Sequence, residues 1–554
     1  MFKKTYKSRV IIILLVFLGL YAIIIARLYL IQIHKKDFFK ILANQQYDIE
    51  IVQQTPRALI YDKHNIPLAL NKESFSAFII PHQLEEKEKT KKIFKTHFPK
   101  IYKKLKKYPE KHFLWLERNL NKSKLEFIKS LNSKDIHLLK EPERFYPFKE
   151  LAQVIGFTNI DNMGIAGIEL QFNDRLSGKP TKLKLQKDAR SGVFYFEKEI
   201  TKKGKEGESV NLTIDSKLQF LVYEELKNTV KQFKALSGSV LILEPQTGQI
   251  LVMCNYPSFN PNKKPIENFD ITKNKVVTES YELGSVIKIF SALAALQEGV
   301  VTPDEEIDCE GKSAYIDGFK VENWRAIHDI VKGKSDIVPF HEVVRYSSNV
   351  GIAKVTKELN EKFYTYLESL GFGNKTNIRF PGERSGFVNP PSNWSRSSII
   401  AMSFGYEIMA TLLQLGRALC VISNNGYQIQ PQLVSNPLRT KNTIKKKIFS
   451  SKTIKEIKDI LEVIGDKYTN FPGYKVMGKT GTARSVKDGK YSKKHHVYSF
   501  GGMVEKNNYK RVIVTFINEP GNPNLWASQV TAPLFAKVVE KTIIYDLKNN
   551  NQKG

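Results

Sequence analysis

The chain has 554 residues, a length that favours roughly two to four domains over a single hydrophobic core. Hydrophobic residues make up 42% of it and charged residues 26%, which excludes a disordered chain. The formal net charge is +30, but the lysines are spread along the whole sequence, so this balance fits a solvated surface or attraction to anionic lipid and does not predict nucleic-acid binding.

An apolar run of 17 residues extends from Val10 to Ala26 near the N-terminus. Thirteen of these residues are Val, Ile, Leu or Phe, which together favour membrane insertion by about 4 to 8 kcal/mol. A cleaved signal peptide is the alternative, but Arg27 follows directly and no small-residue cleavage site is present. We therefore predict an uncleaved transmembrane anchor over residues 10–33. Basic residues flank both of its ends, and only the chemistry described below favours a cytoplasmic tail over residues 1–9.

The segment after the anchor is expected to form a separate domain over residues 40–205. Its stretch from Leu84 to Lys140 is rich in lysine and helical in period, which indicates a solvated lobe with a modest core. The Gly/Lys-rich segment Thr201–Glu208 is typical of a linker and predicts a boundary to a second domain over residues 206–548.

The second domain is predicted to contain five strands. Alternating apolar residues in Ser239–Glu244 and Gln249–Cys254 flank turn residues, which is the pattern of a β-hairpin. We expect these two strands and three later ones to form one antiparallel sheet covered by helices, a mixed α/β fold. The later strand candidates are Lys475–Ala483, Val497–Val504 and Arg511–Asn518, and a helical pattern follows from Gln529 to about Leu547.

Ser285 begins the apolar stretch SVIKIFSALAAL, in which Lys288 follows three residues later. Residues three apart share a helix face, so the lysine ammonium is expected beside the serine hydroxyl. A hydroxyl becomes a good nucleophile only when a base removes its proton, and a lysine among apolar residues has a lowered pKa that suits it to this role. The alternative is an N-cap serine with a surface lysine, which the flanking Ile287 and Ile289 disfavour.

A second polar motif is Ser347-Ser348-Asn349. A further hydroxyl near Lys288 can relay a proton towards a leaving amine, and the asparagine amide can hold a substrate carbonyl or orient the lysine. Taken alone, such a triplet more often caps a helix.

The third motif, Lys479-Thr480-Gly481-Thr482, lies in a predicted strand. Lys479 and Thr480 can bind a carboxylate, Gly481 leaves room for a ligand backbone, and the Thr482 N–H can complete an oxyanion hole. A tight turn is the alternative, which the alternation before the motif disfavours. The order of the three motifs is the one found in penicillin-binding proteins and class A β-lactamases.

The chain resembles the penicillin-binding transpeptidase family well beyond these motifs. Tyr281–Ser285 (YELGS) resembles the family's YEPGS segment, with Leu283 in place of proline, and Pro257–Asn262 resembles PSFDPN. The resemblance implies a penicillin-binding transpeptidase fold, a five-stranded antiparallel sheet flanked by helices, together with an N-terminal α+β pedestal of the dimerisation type and one transmembrane helix. Blocks typical of class B members lie in the N-terminal half, at Pro56–Asp62, Arg144–Pro147 and Gly164–Glu169.

Three positions depart from the family pattern. Ala58 stands where the PRG segment has glycine, and His64-Asn65 replaces part of a DRNG segment. Glu407 follows Ser403–Tyr406 at a position where glycine is usual. These changes bear on local loop geometry and leave the motifs intact.

The resemblance implies a serine D,D-transpeptidase that cross-links peptidoglycan stem peptides through an acyl-enzyme and binds β-lactams covalently, with neither a metal nor a cofactor. The implied catalytic residues are Ser285, Lys288, Ser347 and Asn349, and the implied substrate-binding residues are Lys479, Thr480, Gly481 and Thr482.

The segment around Arg484, with Tyr491 and Ser499-Phe500, resembles the septal branch of class B more than the elongation branch. That resemblance implies an inner-membrane protein with a periplasmic catalytic domain. It also implies a SEDS-family glycosyltransferase and other divisome membrane proteins as partners, and no nucleic acid.

Three other functions compete with this interpretation. An elongation-specific class B transpeptidase shares all of its chemistry. A serine β-lactamase would lack the N-terminal domain and would need a group that activates water, for which the sequence offers no assigned residue. A membrane-bound β-lactam sensor would carry several spans, whereas the chain shows one long apolar run.

Two other groups of residues are not assigned a function. His495-His496 lies between two predicted strands without a third spaced ligand, so we expect a loop and no metal site. The three cysteines lack CxxC spacing and predict neither a zinc site nor a disulfide framework: Cys254, Cys309 and Cys420.

Overall fold

The computed structural model describes residues 3–39, 48–53, 55–111, 113–187, 194–263, 266–435, 446–487 and 490–551. The chain forms two compact units. The first comprises residues 1–56, 73–142 and 178–206, and the second comprises residues 57–72, 143–177 and 207–554. Both units are therefore assembled from segments that are distant in sequence.

The N-terminal helix Lys3–Tyr29 continues as a π-helical turn over Leu30–His34. An 18-residue window within Tyr6–His34 has a mean hydropathy of 2.8, and none of that window is buried within the protein. The 29 residues give a length of about 40 Å at about 1.5 Å per residue, enough to cross the roughly 30 Å hydrocarbon core of a bilayer. This helix is long and apolar enough to serve as a single-pass membrane anchor.

The remainder of the first unit mixes helices and strands around a small core. The prediction of a helical lobe over Leu84–Lys140 was wrong in part. Leu114–Leu120 is a strand, and a second strand, His137–Phe145, begins within the segment. The buried side chains that form the core include Phe94, Leu116 and Ile128. The helices are Lys87–His97, Pro99–Lys107 and Lys122–Ser130, and a three-stranded antiparallel sheet has the order Asp48–Gln53, Thr181–Lys187, Phe194–Lys202.

The second unit is built on the predicted five-stranded antiparallel sheet, which is confirmed. Its strand order is Ile250–Tyr256, Ser237–Leu243, Tyr509–Asn518, Lys490–Lys506, Lys475–Lys487. The strand that carries the lysine–threonine–glycine motif lies at the edge, where a ligand can approach its unpaired side. The prediction of a loop at His495-His496 was wrong, because the strand Lys490–Lys506 includes both residues.

Both faces of this sheet are covered by helices. Along the strand Ser237–Leu243, Leu241 and Leu243 belong to one apolar cluster and Val240 and Ile242 to the other, as the period of two of a strand requires. The first cluster includes the helices Lys288–Glu298 and Leu412–Ser423, and the second includes Ser216–Gln232 and Ala527–Asn551.

Shorter elements complete the second unit. Its other α-helices are Ala152–Ile155, Gly167–Gln171, Asn173–Ser177, Lys275–Thr278, Ile327–Ile330, Phe340–Tyr346, Asn349–Lys357, Glu361–Leu370, Ser398–Ser403 and Ser451–Gly465. Its other strands are Ile60–Tyr61, Val210–Asn211, Tyr281–Glu282, Glu306–Asp308, Ser313–Ile316, Phe319–Glu322, Ile337–Pro339, Phe387–Val388 and Ile408–Ala410, and Pro67–Ile79 begins in this unit.

The three blocks that resemble class B proteins meet in one buried ion cluster within this unit. Arg57 Nε donates to Glu169 Oε2 at 2.5 Å, and Arg144 Nε donates to Glu169 Oε1 at 2.7 Å. All three side chains are at most 1% exposed. Arg57 also donates to the Glu169 carbonyl and the Asn162 carbonyl, and the Tyr146 hydroxyl donates to Glu169. Buried charges are stable only when they are paired and hydrogen-bonded in this way.

Candidate active site

Ser285 lies in a 3₁₀ turn, Gly284–Val286, that leads directly into the apolar helix Lys288–Glu298. The turn packs against the edge strand so closely that a Cβ on Gly284 would lie 2.2 Å from the carbonyl oxygen of Thr482. Gly284 also has a φ of +56°, a conformation that favours glycine. The glycine therefore allows the backbone around Ser285 to meet the third motif.

Lys288 is completely buried in the first turn of that helix. Its Nζ donates to the Ser347 carbonyl at 2.5 Å and to Ser347 Oγ at 3.2 Å. Within the described part of the chain, these are its hydrogen bonds, and none joins it to Ser285 or to a carboxylate. The first and second motifs thus meet through the lysine ammonium.

Burial without a negative partner lowers the pKa of Lys288 well below its ordinary value, and the nearby positive charge of Lys479 lowers it further. The Cys309 thiol, also buried, acts weakly in the opposite direction. Burial alone lowers the pKa of Lys479 to about 8. Lys288, with its lowered pKa, is suited to proton transfer, whereas Lys479, with a pKa of about 8, is mainly protonated at neutral pH and can bind an anion.

Ser347 occupies the connection between the helices Phe340–Tyr346 and Asn349–Lys357, in the left-handed conformation with φ +61° and ψ +39°. This conformation directs both its carbonyl and its hydroxyl to Lys288. Ser348 instead caps the second helix, since its hydroxyl accepts from Gly351 N at 3.0 Å. Asn349 Nδ2 donates to the Glu322 carbonyl at 2.7 Å.

The third motif occupies the edge strand. Lys479 is 3% exposed and pairs with Gly501 of the neighbouring strand, while Thr482 pairs with Tyr498. A Cβ on Gly481 would lie 2.3 Å from the Leu283 carbonyl oxygen, so this glycine also permits the contact between strand and turn. Thr480 and Thr482 are half-buried, and the Thr482 backbone packs against Gly284, the residue before Ser285.

One side of the site carries the carboxylate of Glu282, which lies in the Tyr281–Ser285 segment but was not predicted to have a role. The Tyr491 hydroxyl and the Glu407 N–H both donate to Glu282 Oε1, at 2.9 and 3.2 Å. Burial raises the pKa of Glu282. Tyr491, which the sequence singled out only as part of a resemblance, also packs its ring edge-on against Tyr406 at 5.4 Å.

The arrangement brings a serine hydroxyl, a desolvated amine, a second hydroxyl and a strand edge into one place. Such a site can transfer a proton from the serine, receive a carbonyl group and stabilise the resulting oxyanion with backbone N–H groups. The groups that surround the second motif could not be predicted from the sequence. The Cys309 thiol and the Glu322 carbonyl come from positions that are distant along the chain and lie in no recognisable pattern.

The chain matches two families. Residues 238–540 match the penicillin binding protein transpeptidase domain, and residues 52–212 match the penicillin-binding protein dimerisation domain. It is 32% identical to a probable peptidoglycan D,D-transpeptidase, PbpC, of Pseudomonas aeruginosa, over 93% of this chain and 91% of that protein. It is 30% identical to the peptidoglycan D,D-transpeptidase FtsI of Buchnera aphidicola, over 99% of this chain and 96% of that protein.

The fold is also found among solved structures. Penicillin binding protein 3 of Mycobacterium tuberculosis superposes with a TM-score of 0.65 at 22% identity, over 90% of this chain and 97% of that one.

Proposed function

Because the chain belongs to the class B penicillin-binding proteins and is a serine-type peptidoglycan D,D-transpeptidase, we propose that its acyl-enzyme forms on Ser285 with Lys288 as the general base. The observation that carries this assignment is the buried, uncompensated Lys288, whose ammonium hydrogen-bonds only to Ser347 among the described residues. Burial lowers the pKa of a lysine in this environment, so it loses its proton more readily and can then accept the serine proton.

The proposed reaction has two halves. In the first, Ser285 Oγ transfers its proton to Lys288 and attacks the carbonyl carbon of the donor's terminal peptide bond. The backbone N–H groups of Ser285 and Thr482 donate hydrogen bonds to the oxyanion. Ser347 relays the proton from Lys288 to the amine of the departing D-alanine. In the second half, an amine of a neighbouring stem peptide attacks the ester and releases Ser285.

The other motif residues are proposed to hold the substrate. Lys479, with Thr480, binds the terminal carboxylate of the donor through a charge-assisted contact. Gly481 leaves space for the donor backbone along the strand edge, and Asn349 orients the peptide. Covalent binding of β-lactams follows from the same geometry, because the family acts on stem peptides and β-lactams at one site.

Intact-mass measurement after exposure to a fluorescent penicillin, with the labelled peptide mapped, tests the nucleophile. We expect one adduct on the peptide that contains Ser285, and none on a Ser285→Ala variant that remains folded. Stoichiometric labelling of that variant would overturn the assignment.

We further propose that the pedestal spans residues 40–205, that the catalytic domain spans residues 206–548 and lies in the periplasm, and that the enzyme works at the division septum. The support is the anchor at Tyr6–His34 and the similarity to proteins named FtsI. A SEDS-family glycosyltransferase that polymerises the glycan strands, together with other divisome membrane proteins, is the corresponding partner.

Topology and cellular role have separate tests. Protease added to intact spheroplasts should degrade the catalytic domain and leave a short N-terminal fragment protected, whereas a fully protected protein would contradict the periplasmic location. Depletion should produce long unseptated cells. Rounded cells without filaments would assign the enzyme to elongation and leave its chemistry unchanged.

A further inference from the structure

Asn323 lies outside the three motifs, directly after the short strand Phe319–Glu322, and its side chain is 4% exposed. Its Oδ1 accepts three hydrogen bonds from the second motif and its neighbour. The donors are Ser348 Oγ at 2.9 Å, Asn349 N at 2.7 Å and Val350 N at 3.1 Å. One buried oxygen thus holds the start of the helix Asn349–Lys357, where backbone N–H groups have no partner within the helix.

The nitrogen of the same amide is anchored on the opposite side. Asn323 Nδ2 donates to the Gly311 carbonyl at 2.7 Å and to the Cys309 carbonyl at 3.0 Å. The backbone N–H of Asn323 donates to the Lys312 carbonyl at 2.8 Å. If the amide were rotated by 180°, its NH₂ group would face the three donors and its oxygen would face the two carbonyl groups. None of these contacts would then pair a donor with an acceptor, so the hydrogen bonds define one orientation of the amide.

The segment that Asn323 holds begins one residue after Ser347. Ser347 adopts the left-handed conformation, which is unfavourable for a non-glycine residue. On its N-terminal side, Ser347 N donates to Val344 and Ser348 N to Val343. On its C-terminal side, the anchorage is the Asn323 amide. Ser347 in turn provides both oxygen atoms that receive the Lys288 ammonium.

We propose that Asn323 is a positioning residue for transpeptidation, which locks the turn through Ser347 and so fixes the two acceptors of Lys288. The inference rests on the proposed function of Lys288 as the base. It differs from a capping role in what it predicts: a helix cap affects stability, whereas a positioning residue also affects the protonation and the rate of acylation.

The first test is Asn323→Ala in the full-length protein, with the acylation rate constant and the affinity for a chromogenic β-lactam measured separately. We expect the rate constant to fall by about 100-fold, since misplacing a catalytic group by about 1 Å has this effect, and the affinity to change little. Asn274→Ala is the matched control. Asn274 is equally buried, accepts from Val276 N at a helix start and donates to the Met253 carbonyl. That variant should lose stability and keep the wild-type rate constant.

The pH profile of acylation is the second test, because only molecules with a neutral Lys288 react. The groups that face Lys288 electrostatically are Lys479 and Cys309, and its hydrogen-bond acceptors are those of Ser347. When Asn323→Ala frees Ser347, the charged lysine loses its acceptors, its pKa falls, and the acidic limb of the profile moves to lower pH. Asn323→Ser is a smaller change, because its hydroxyl can still accept a hydrogen bond but is too short to reach all three donors, so its limb should move in the same direction by a smaller amount.

A shift to lower pH in both variants, larger for Asn323→Ala, would support the proposal. A proportional loss of rate at every pH with the limb unmoved in both variants would overturn it in favour of a structural role, and so would wild-type kinetics in folded Asn323→Ala. If Asn323→Ala does not fold, Asn323→Ser decides alone, and an unmoved limb overturns the proposal. Failure of the proposed function itself would appear differently, as labelling of Ser285→Ala or as a Lys288→Met variant that acylates normally.

Discussion

The second compact unit contains two buried clusters of charged side chains, one with paired charges and one without. At Arg57, Arg144 and Glu169, two guanidinium groups share one carboxylate, and both of its oxygens are bonded within 2.7 Å. At Lys288 and Lys479, two buried ammonium groups face each other, and within the described ranges neither forms an ion pair.

The difference lies in what each cluster requires of its surroundings. A compensated cluster resists any change that removes one partner, because the remaining charge is then buried alone. An uncompensated lysine minimises its burial penalty by releasing its proton, which makes it a base. The first arrangement holds together segments that are distant in sequence, and the second makes the site reactive at the expense of stability.

The strongest test of this comparison is Lys288→Met, which removes an uncompensated charge. Acylation by penicillin should become negligible, a loss of at least the roughly 10²- to 10⁴-fold that general-base catalysis contributes. The free energy of unfolding near neutral pH should stay constant or rise, because a buried amine with a lowered pKa is replaced by an apolar side chain of similar length.

The sign of the pH dependence provides a second measurement on the same variant. Folded wild-type protein binds fewer protons than the unfolded chain between the lowered pKa of Lys288 and its ordinary value of 10.5, so the stability contributed at this position rises with pH across that window. Lys288→Met should abolish that contribution. The exposed Lys452→Met is the control and should alter neither stability nor acylation. A clearly destabilised Lys288→Met protein would contradict the comparison.

Removing the carboxylate from the compensated cluster should have the reverse effect. Glu169→Gln leaves two buried guanidinium groups without a negative partner, and we expect a loss of about 3 to 5 kcal/mol in the free energy of unfolding. Acylation per folded molecule should stay at the wild-type level. Urea denaturation followed by fluorescence measures the first quantity, and active-site titration with penicillin measures the second.

Two controls sharpen the experiment on Glu169. Glu462→Gln breaks an exposed pair with Lys475 and should cost at most about 1 kcal/mol. Replacing Arg57, Arg144 and Glu169 together by apolar residues should recover most of the stability that Glu169→Gln loses, since no charge then remains buried. If Glu169→Gln is no more destabilising than Glu462→Gln, the cluster does not hold the fold.

The sequence predicted the elements whose signal is local. The short apolar strand patterns at both ends of the catalytic domain led to the five-stranded sheet, in which alternate residues of Ser237–Leu243 pack into different apolar clusters. The helical period assigned to Leu84–Lys140 failed at Leu114–Leu120, where pairing with the strand Pro67–Ile79 decides the local structure.

At the candidate site, too, the sequence predicted local features but not the contacts between side chains that are distant along the chain. The apolar neighbours of Lys288 predicted that the lysine is buried, but the sequence did not predict that its hydrogen bonds go to Ser347, because that contact joins residues 59 positions apart. The proposed role of Asn323 could not be predicted from the sequence either. It depends on three hydrogen-bond donors that meet one oxygen only in the folded protein. The residues of the buried ion cluster lie in the three blocks that resemble class B proteins, but nothing in the sequence indicated that these blocks contact one another.

The smallest expected effect concerns Glu407, beside the uncompensated site, where strain and a hydrogen bond oppose each other. Glu407 has a φ of +57° at a position where glycine is usual in the family, and its carboxylate accepts from Asn389 Nδ2 at 2.5 Å. Glu407→Gly should relieve roughly 1 to 2 kcal/mol of strain. It should also lose a hydrogen bond worth about 0.5 to 1.5 kcal/mol, so the net change in stability is expected to be close to zero.

A double-mutant cycle separates the two contributions at Glu407. Asn389→Ala alone should destabilise the protein by about 1 kcal/mol, because the hydrogen bond is lost and the strain remains. In that background Glu407→Gly should stabilise by about 1 kcal/mol, since only strain is then removed. The Glu407 N–H that donates to Glu282 persists in the glycine variant, so acylation should not change. If Glu407→Gly is destabilising in the Asn389→Ala background, the left-handed conformation of Glu407 carries no strain. The two buried lysines would then be the energetically unfavourable groups at this site.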